Sequence, residues 1–234
     1  MFRTAIIAAI FLFVGLVGGF LLSNSINRNS ANSQDPTQTS KDVGGGRGEL
    51  TPEDIEAAEE ALRKEPGNFI LKKRVGIALY SYGFNKSDVG ILERAERILE
   101  EARLNLQNDL EVLVTLGNSR FDIAFFGKRP AYYAKARESY LEALTLDPKN
   151  VTLLLDIGNS YAFGEVPNHR EALSYYTKGL QLNPTDERLL QVAATSSINT
   201  GNATAARKYI ERLKKVNASS PAIAEIETAL KVTK

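Results

Sequence analysis

The chain contains no cysteine and a single histidine, and its 29 lysines and arginines nearly balance 28 aspartates and glutamates. Without cysteine there can be no disulfide, thiolate metal site, lipid-modified cysteine or cysteine nucleophile. His169, within GEVPNHRE, reads as a loop residue; it has no second imidazole to share a zinc ion and no G-x-S-x-G serine to activate. A net charge of +1 removes the bulk electrostatic case for nucleic acid, which needs a concentrated basic surface. The glycine-rich GGGRG at 44–48 lacks the G-x-x-x-x-G-K-[ST] spacing of a phosphate loop and reads as a spacer. Adjacent carboxylates such as Glu59-Glu60 and Glu100-Glu101 lie in helical patterns rich in basic partners and read as solvated faces. No metal, cofactor or catalytic site is expected, and the chain reads as non-enzymatic.

What is present is unevenly distributed. Residues 1–3 form a short basic start, and TAIIAAIFLFVGLVGGFLL follows over 4–22 without a charge. Nineteen residues at ~1.5 Å each span roughly 28 Å, the hydrocarbon thickness of a bilayer. This predicts a single transmembrane signal anchor. The alternative is a cleaved signal peptide using Ser23-Asn24-Ser25, although the apolar run exceeds the usual signal core of about 7–15 residues. Arg3 before the span and Arg28 and Lys41 after it are nearly balanced. The short basic start resembles a signal anchor, which places the rest of the protein outside the cytoplasm in a single-pass membrane arrangement. Gly15 and Gly19 form a G-x-x-x-G pair that lets two spans pack closely. Residues 23–50, rich in Ser, Asn, Gln, Thr and Gly, read as a disordered polar linker reaching roughly 30 Å from the bilayer.

Helical periodicity begins at Thr51. Thr51-Pro52-Glu53-Asp54 is a helix start, with a hydroxyl cap, an early proline and carboxylates at the positive end. The stops EPGN, DPKN and NPTD, and the weaker LQND and NASSP, then recur along the chain, since proline cannot continue a helix. They divide 51–234 into a capping helix (51–66), four segments (69–109, 110–150, 151–186, 187–220) and a final capping helix (221–232). Inside three segments, VGIALY, LGNSRF and IGNSYA place Gly76, Gly117 and Gly158 at 41-residue intervals. Glycine costs ~1 kcal/mol in a helix, so its recurrence predicts close approach to a second helix, opposite Ala95, Ala136 and Ala172.

The third segment carries Leu154, Ile157-Gly158, Tyr161, Ala172, Tyr176 and Pro184. The second has Leu113, Leu116-Gly117, Ala136, Tyr140 and Pro148, with Arg120 where an aromatic is usual. The first has Val75-Gly76, Leu79, Ala95 and Leu99, and the fourth a degenerate set, Leu190, Ala193-Ala194, Ala206 and Ile210. This pattern over 69–220 resembles the tetratricopeptide repeat (TPR) family. The resemblance implies an all-α fold, a TPR-like solenoid of helix pairs wound into a right-handed superhelix. The first two segments carry about seven extra residues each, predicted in longer helix ends or in the loops FNKSDVG and FFGKRPA. Tyr132, Tyr133 and Tyr140 fall at helical spacing and read as inter-helix core.

The resemblance further implies that the first helices of successive pairs line a concave groove for extended peptides or partner helices. Groove candidates are Lys73, Ile77 and Tyr80, then Val114, Asn118 and Phe121, then Leu155, Asn159 and Ala162, then Gln191 and Thr195. Asn118 and Asn159 are favoured, because an amide both donates to and accepts from a peptide backbone. A clamp for a C-terminal carboxylate is disfavoured: Ile77 stands where such a clamp needs asparagine, and Asp156 adds negative charge where a cation is wanted. Charge differs between the ends, acidic over 53–65 and basic over 207–215, which favours head-to-tail self-association or an acidic partner. The expected function is a membrane-tethered protein-interaction scaffold. It resembles bacterial envelope proteins of assembly or maturation, cytochrome c maturation factors among them. The alternatives are a cleaved, soluble exported binding module and a recruiting subunit of an enzyme complex.

Overall fold

Helices in this chain start where a short polar side chain can cap them. The computed structural model describes residues 51–232; the anchor and linker expected over 1–50, with Gly15 and Gly19, lie outside the described residues. Thr51 and Asp54 form a reciprocal capping box ahead of α1 (Pro52–Lys64): the Asp54 amide donates to Thr51 Oγ1 at 3.2 Å and the Thr51 amide to Asp54 Oδ2 at 2.9 Å. Seven later helices use asparagine or aspartate in the same way. Asn68 caps α2 (Phe69–Lys86), Asp88 caps α3 (Val89–Asn105) and Asp109 caps α4 (Leu110–Phe126). Asn150 caps α6 (Val151–Ala162) and Asn168 caps α7 (His169–Leu182), while Asp186 and Asn202 cap α8 (Glu187–Asn199) and α9 (Ala203–Val216). In each, the side-chain oxygen accepts an amide of the first turn that has no intrahelical partner. Two helices differ: α5 (Tyr132–Leu146) lacks a side-chain cap, and α10 (Pro221–Val232) opens on proline.

The helices stack as antiparallel neighbours in chain order. The closest packing is within the pairs α2–α3, α4–α5, α6–α7 and α8–α9, and each pair's second helix also covers the next pair's first. Among first helices α2 also touches α4, and α8 touches the capping helix α10; by the TPR resemblance the first helices form the inner layer of the stack. At one end α1 packs on α2, and at the other α10 covers α8 and α9. No strand is present among the described residues. Each pair leaves an apolar stripe that only its neighbour can bury, which is the physical basis of a solenoid. The extra residues of the early segments lengthen helices. α2 and α4 have 18 and 17 residues against 12 and 13 in α6 and α8. Between α2 and α3 only Ser87 and Asp88 remain, and Ser87 takes a left-handed φ of 53° to close the turn.

The recurrent glycines make room for side chains of the paired helix. A Cβ on Gly117 would lie 2.5 Å from Tyr140 Cε1, and one on Gly76 would lie 2.7 Å from Leu99 Cγ; Gly158 stands against the Tyr176 ring in the same way. Ala95, Ala136 and Ala172 are fully buried, but each lies one turn before the side chain that presses on the glycine. A methyl group is too short to fill the gap, whereas Leu99, Tyr140 and Tyr176 fill it.

Arg120, in an aromatic's position, ties three helices together. Its Nε donates to Glu96 Oε1 at 3.0 Å, Nη2 to Glu100 Oε2 at 2.8 Å and Nη1 to Ser139 Oγ at 2.8 Å. Burial alone would raise the Glu100 carboxyl, but hydrogen bonding and charge from Arg103 and Arg120 hold it below its ordinary range. A hydrogen-bonded guanidinium thus replaces ring packing at this α3–α4–α5 junction.

Candidate functional site

The inner layer is where side chains of successive pairs converge, and its polar groups are organised by the glycine positions. Gly117 admits the Tyr140 ring, and the next residue receives its hydroxyl: Tyr140 Oη donates to Asn118 Oδ1 at 2.8 Å. Tyr176 Oη donates to Asn159 Oδ1 at 2.9 Å beside Gly158. The serines that follow are satisfied by carbonyls, Ser119 Oγ on Leu92 O at 2.8 Å and Ser160 Oγ on Ile157 O at 2.6 Å. Gly-Asn-Ser is therefore a helical packing unit. The first pair uses an apolar version, Gly76-Ile77 against Leu99, with no hydroxyl to accommodate.

Several groove candidates are more deeply engaged than the sequence suggests. Asn118 and Asn159 are only 5% and 3% exposed, and their amide oxygens are committed to tyrosines. Neither is therefore free to use both ends of its amide. Ile77 packs against Leu99, Ala102, Val112 and Leu116, and Leu155 and Ala162 join the C-terminal apolar cluster. Phe121 is buried edge-on to Tyr133, with ring centroids 4.9 Å apart. Lys73 is spanned by Asp109 Oδ2 and Glu111 Oε2, each at 2.8 Å. Burial works against its charge, but hydrogen bonds to both carboxylates outweigh this and raise its pKa. Val114 is partly buried. Gln191 Nε2 donates to Glu187 Oε1 at 3.1 Å and Ser220 Oγ at 3.3 Å, and Thr195 Oγ1 donates to Gln191 O at 3.1 Å.

Tyr80 leads to a feature that no motif announces. Its hydroxyl donates to Asp122 Oδ2 at 3.0 Å, while Asp122 Oδ1 is buried without a hydrogen-bond partner. Burial pushes the Asp122 carboxyl up to about 8; the Tyr80 hydrogen bond acts in the opposite direction and the charge of Asp156 adds to the rise. Asp156, one pair further on, is pushed up to about 7 by burial, partly offset by Arg188. Burial, reinforced by these carboxylates, also raises Tyr80, Tyr133 and Tyr140. The available signal in the sequence was a carboxylate inside each of two apolar runs, RFDIAFF and LLLDIGNS.

Two other expectations are modified. His169 opens α7 rather than lying in a loop, with Nδ1 3.5 Å from Ser196 Oγ, and burial lowers its pKa. The oppositely charged ends are partly neutralised internally. Glu59 accepts from Arg94 Nε at 2.7 Å, and Lys214 bridges Glu211 and Glu227 at 3.1 and 2.8 Å.

Paired helices, recurrent small residues and a shared inner layer define an α-solenoid of TPR-like helix pairs. Solved structures of this class are similar to it. One is MamA from Desulfovibrio magneticus RS-1, at 15% identity and TM-score 0.58, covering 72% of this chain and 86% of that one. A second is TTC0263, a thermophilic TPR protein of Thermus thermophilus, at 15% identity and TM-score 0.53, with 76% and 89% covered. A third is a tetratricopeptide repeat protein from Parabacteroides merdae ATCC 43184, at 20% identity and TM-score 0.60, with 77% and 65% covered. At such identities the likeness is one of fold. No protein-family model and no curated protein matches the chain. Among the described residues no helix is long and apolar enough to cross a membrane.

Proposed function

We propose that the protein is a non-enzymatic, membrane-tethered scaffold whose inner helical layer receives an extended peptide or helix from a partner protein. The observation that carries this reading is the pair of amides at Asn118 and Asn159. They occupy corresponding positions in successive pairs, and a tyrosine hydroxyl from the adjacent second helix fixes each amide plane. A donor held in place before binding loses less side-chain entropy when it meets a backbone carbonyl. The uncharged stretch at 4–22 supplies the tether, and the polar tract at 23–50 supplies reach on the extracytoplasmic side of the membrane. The biological setting that fits this arrangement is assembly or maturation of envelope proteins, of the kind served by cytochrome c maturation factors.

Alkaline carbonate extraction of membranes, with N-terminal sequencing, tests the tether. Retention in the pellet with Met1 or Phe2 at the N-terminus is expected. A soluble species beginning near Ile26 would instead make it a released binding module. Protease treatment of spheroplasts should degrade the solenoid; its protection would place it in the cytoplasm. In-cell crosslinking and purification should then recover a discrete protein partner, and recovery of none would remove the scaffold assignment.

A further inference from the structure

Asp122 leaves a buried carboxyl oxygen without a hydrogen-bond partner. Its side chain is 1% exposed, Oδ2 accepts the Tyr80 hydroxyl at 3.0 Å, and Oδ1 has no partner among the described residues. An unmatched buried acceptor costs about 1–3 kcal/mol, and more when charged. The ionisable groups acting on it or facing it are Tyr80 from α2, Tyr133 and Tyr140 from α5 and Asp156 from α6. Arg188 of α8 and Tyr176 of α7 act on Asp156. None of the groups acting on Asp122 is a cation. Nearby basic side chains are engaged elsewhere: Lys73 by Asp109 and Glu111, Arg120 by Glu96 and Glu100, and Arg188 by Asp186 at 3.4 Å.

Of the aromatic residues that interact with Asp122, Tyr133 belongs to a wider ring cluster. Phe121, next to Asp122 in the chain, meets Tyr133 at 4.9 Å and Phe163 at 6.3 Å between centroids, and Tyr133 meets Phe163 at 6.0 Å. Ring faces attract a cation, most strongly where water is excluded. No cation acts on Asp122, and Arg188 offsets only Asp156; once ionised, the Asp122 carboxylate repels an anionic ligand and complements a cationic one.

We infer that Asp122, with Asp156 and the Tyr80 and Tyr133 rings, forms the recognition site for a basic side chain, arginine or lysine, on the partner segment. This inference rests on the scaffold function and names the chemistry of its partner. In the empty protein at neutral pH the Asp122 carboxyl retains its proton. Entry of the cation breaks that O–H bond and leaves a carboxylate paired with the guanidinium or ammonium group. The proton passes to solvent, so charge and protons balance.

The probes are n-butylguanidinium and n-butylammonium chlorides, side-chain mimics of arginine and lysine, titrated calorimetrically into the full chain in detergent micelles. Sodium chloride at equal ionic strength is the control. Saturable binding is expected at pH 8.5, and at pH 7, where the free carboxyl still holds its proton, binding should release it measurably in buffers of different ionisation enthalpy. A carboxyl titrating at about 8 predicts that binding weakens on the order of fifty-fold between pH 8.5 and pH 6. Asp122→Asn, of nearly the same shape, should weaken binding at pH 8.5 at least tenfold and abolish the proton release, and Asp156→Asn should weaken it less. Comparison of the two cations tells an arginine site from a lysine site. Absence of saturable binding at pH 8.5, or equal binding by wild type and Asp122→Asn, overturns the inference. If crosslinked partners are still recovered in either case, the scaffold assignment stands and only the basic-side-chain site fails.

Discussion

Raising the pH from 5 to 9 should destabilise the folded solenoid, and Asp122→Asn should remove much of that loss. In the unfolded chain the carboxyl titrates near 3.8, whereas in the fold burial and the neighbouring Asp156 push it up to about 8. A folded pKa above the unfolded one means the native state holds the proton more tightly. The stability it confers is fully present below 3.8 and is lost progressively as pH rises toward 8. Each pH unit over which only the folded state holds the proton is worth about 1.4 kcal/mol, so the difference between pH 5 and pH 9 is about 4 kcal/mol. That figure is an upper bound, because an effective interior dielectric near 20 softens buried charges. Asparagine does not ionise, so its curve lacks this slope. The assay is urea unfolding followed by far-ultraviolet circular dichroism at pH 5, 7 and 9 and constant ionic strength. The quantity of interest is the difference between wild type and variant, which cancels His169 and the chain terminus. Asp156→Asn should flatten the curve less, since its carboxyl is pushed up only to about 7. The double variant should fall short of the summed effects, because the two carboxylates interact. Parallel curves for wild type and Asp122→Asn would refute the placement of a raised buried carboxyl at this position.

Three further outcomes follow from the packing. Gly117→Ala should lower stability by about 1–3 kcal/mol in urea unfolding, since its methyl would meet the Tyr140 ring at 2.5 Å; an unchanged midpoint would mean that the ring moves freely. Asn118→Ala leaves the Tyr140 hydroxyl unmatched and should cost about 1–3 kcal/mol. Adding Tyr140→Phe should recover part of that loss, so a double-mutant cycle that sums without coupling would deny the 2.8 Å hydrogen bond. Arg120→Met leaves Glu96 without its cation at the α3–α4–α5 junction, Glu100 keeping Arg103, and should cost about 1–3 kcal/mol. Arg103→Met, at a more exposed pair with Glu142, should change stability by less than about 1 kcal/mol.

The helix-pair architecture was legible because it depends on spacing. Proline-bearing stops recur along the chain and three glycines fall at 41-residue intervals, and this spacing carries the fold class directly. The site was legible only in part, because exposure depends on neighbours that spacing does not specify. Asn118 and Asn159 fall at groove positions by repeat register, yet tyrosines from the second helices cover their amide oxygens. Arg120 departs from the aromatic pattern, and only the carboxylates of α3, 20 and 24 residues earlier, show what holds it. Asp122 belongs to no motif. Its significance comes from what surrounds it, since a carboxylate in an apolar run could equally have faced water.

The central claim, that the inner helical layer meets the partner, is tested most directly by position-resolved photo-crosslinking in intact cells. A benzophenone side chain is placed at Val114 or Gln191 on first helices, and at Glu138 or Thr177 on the exposed side of second helices. The account predicts discrete partner adducts from Val114 and Gln191, lost when Asn118 and Asn159 are both replaced by serine in a variant confirmed to be folded. It predicts none from Glu138 or Thr177. Adducts arising mainly from the second helices, or inner-layer adducts indifferent to both asparagines, would contradict it.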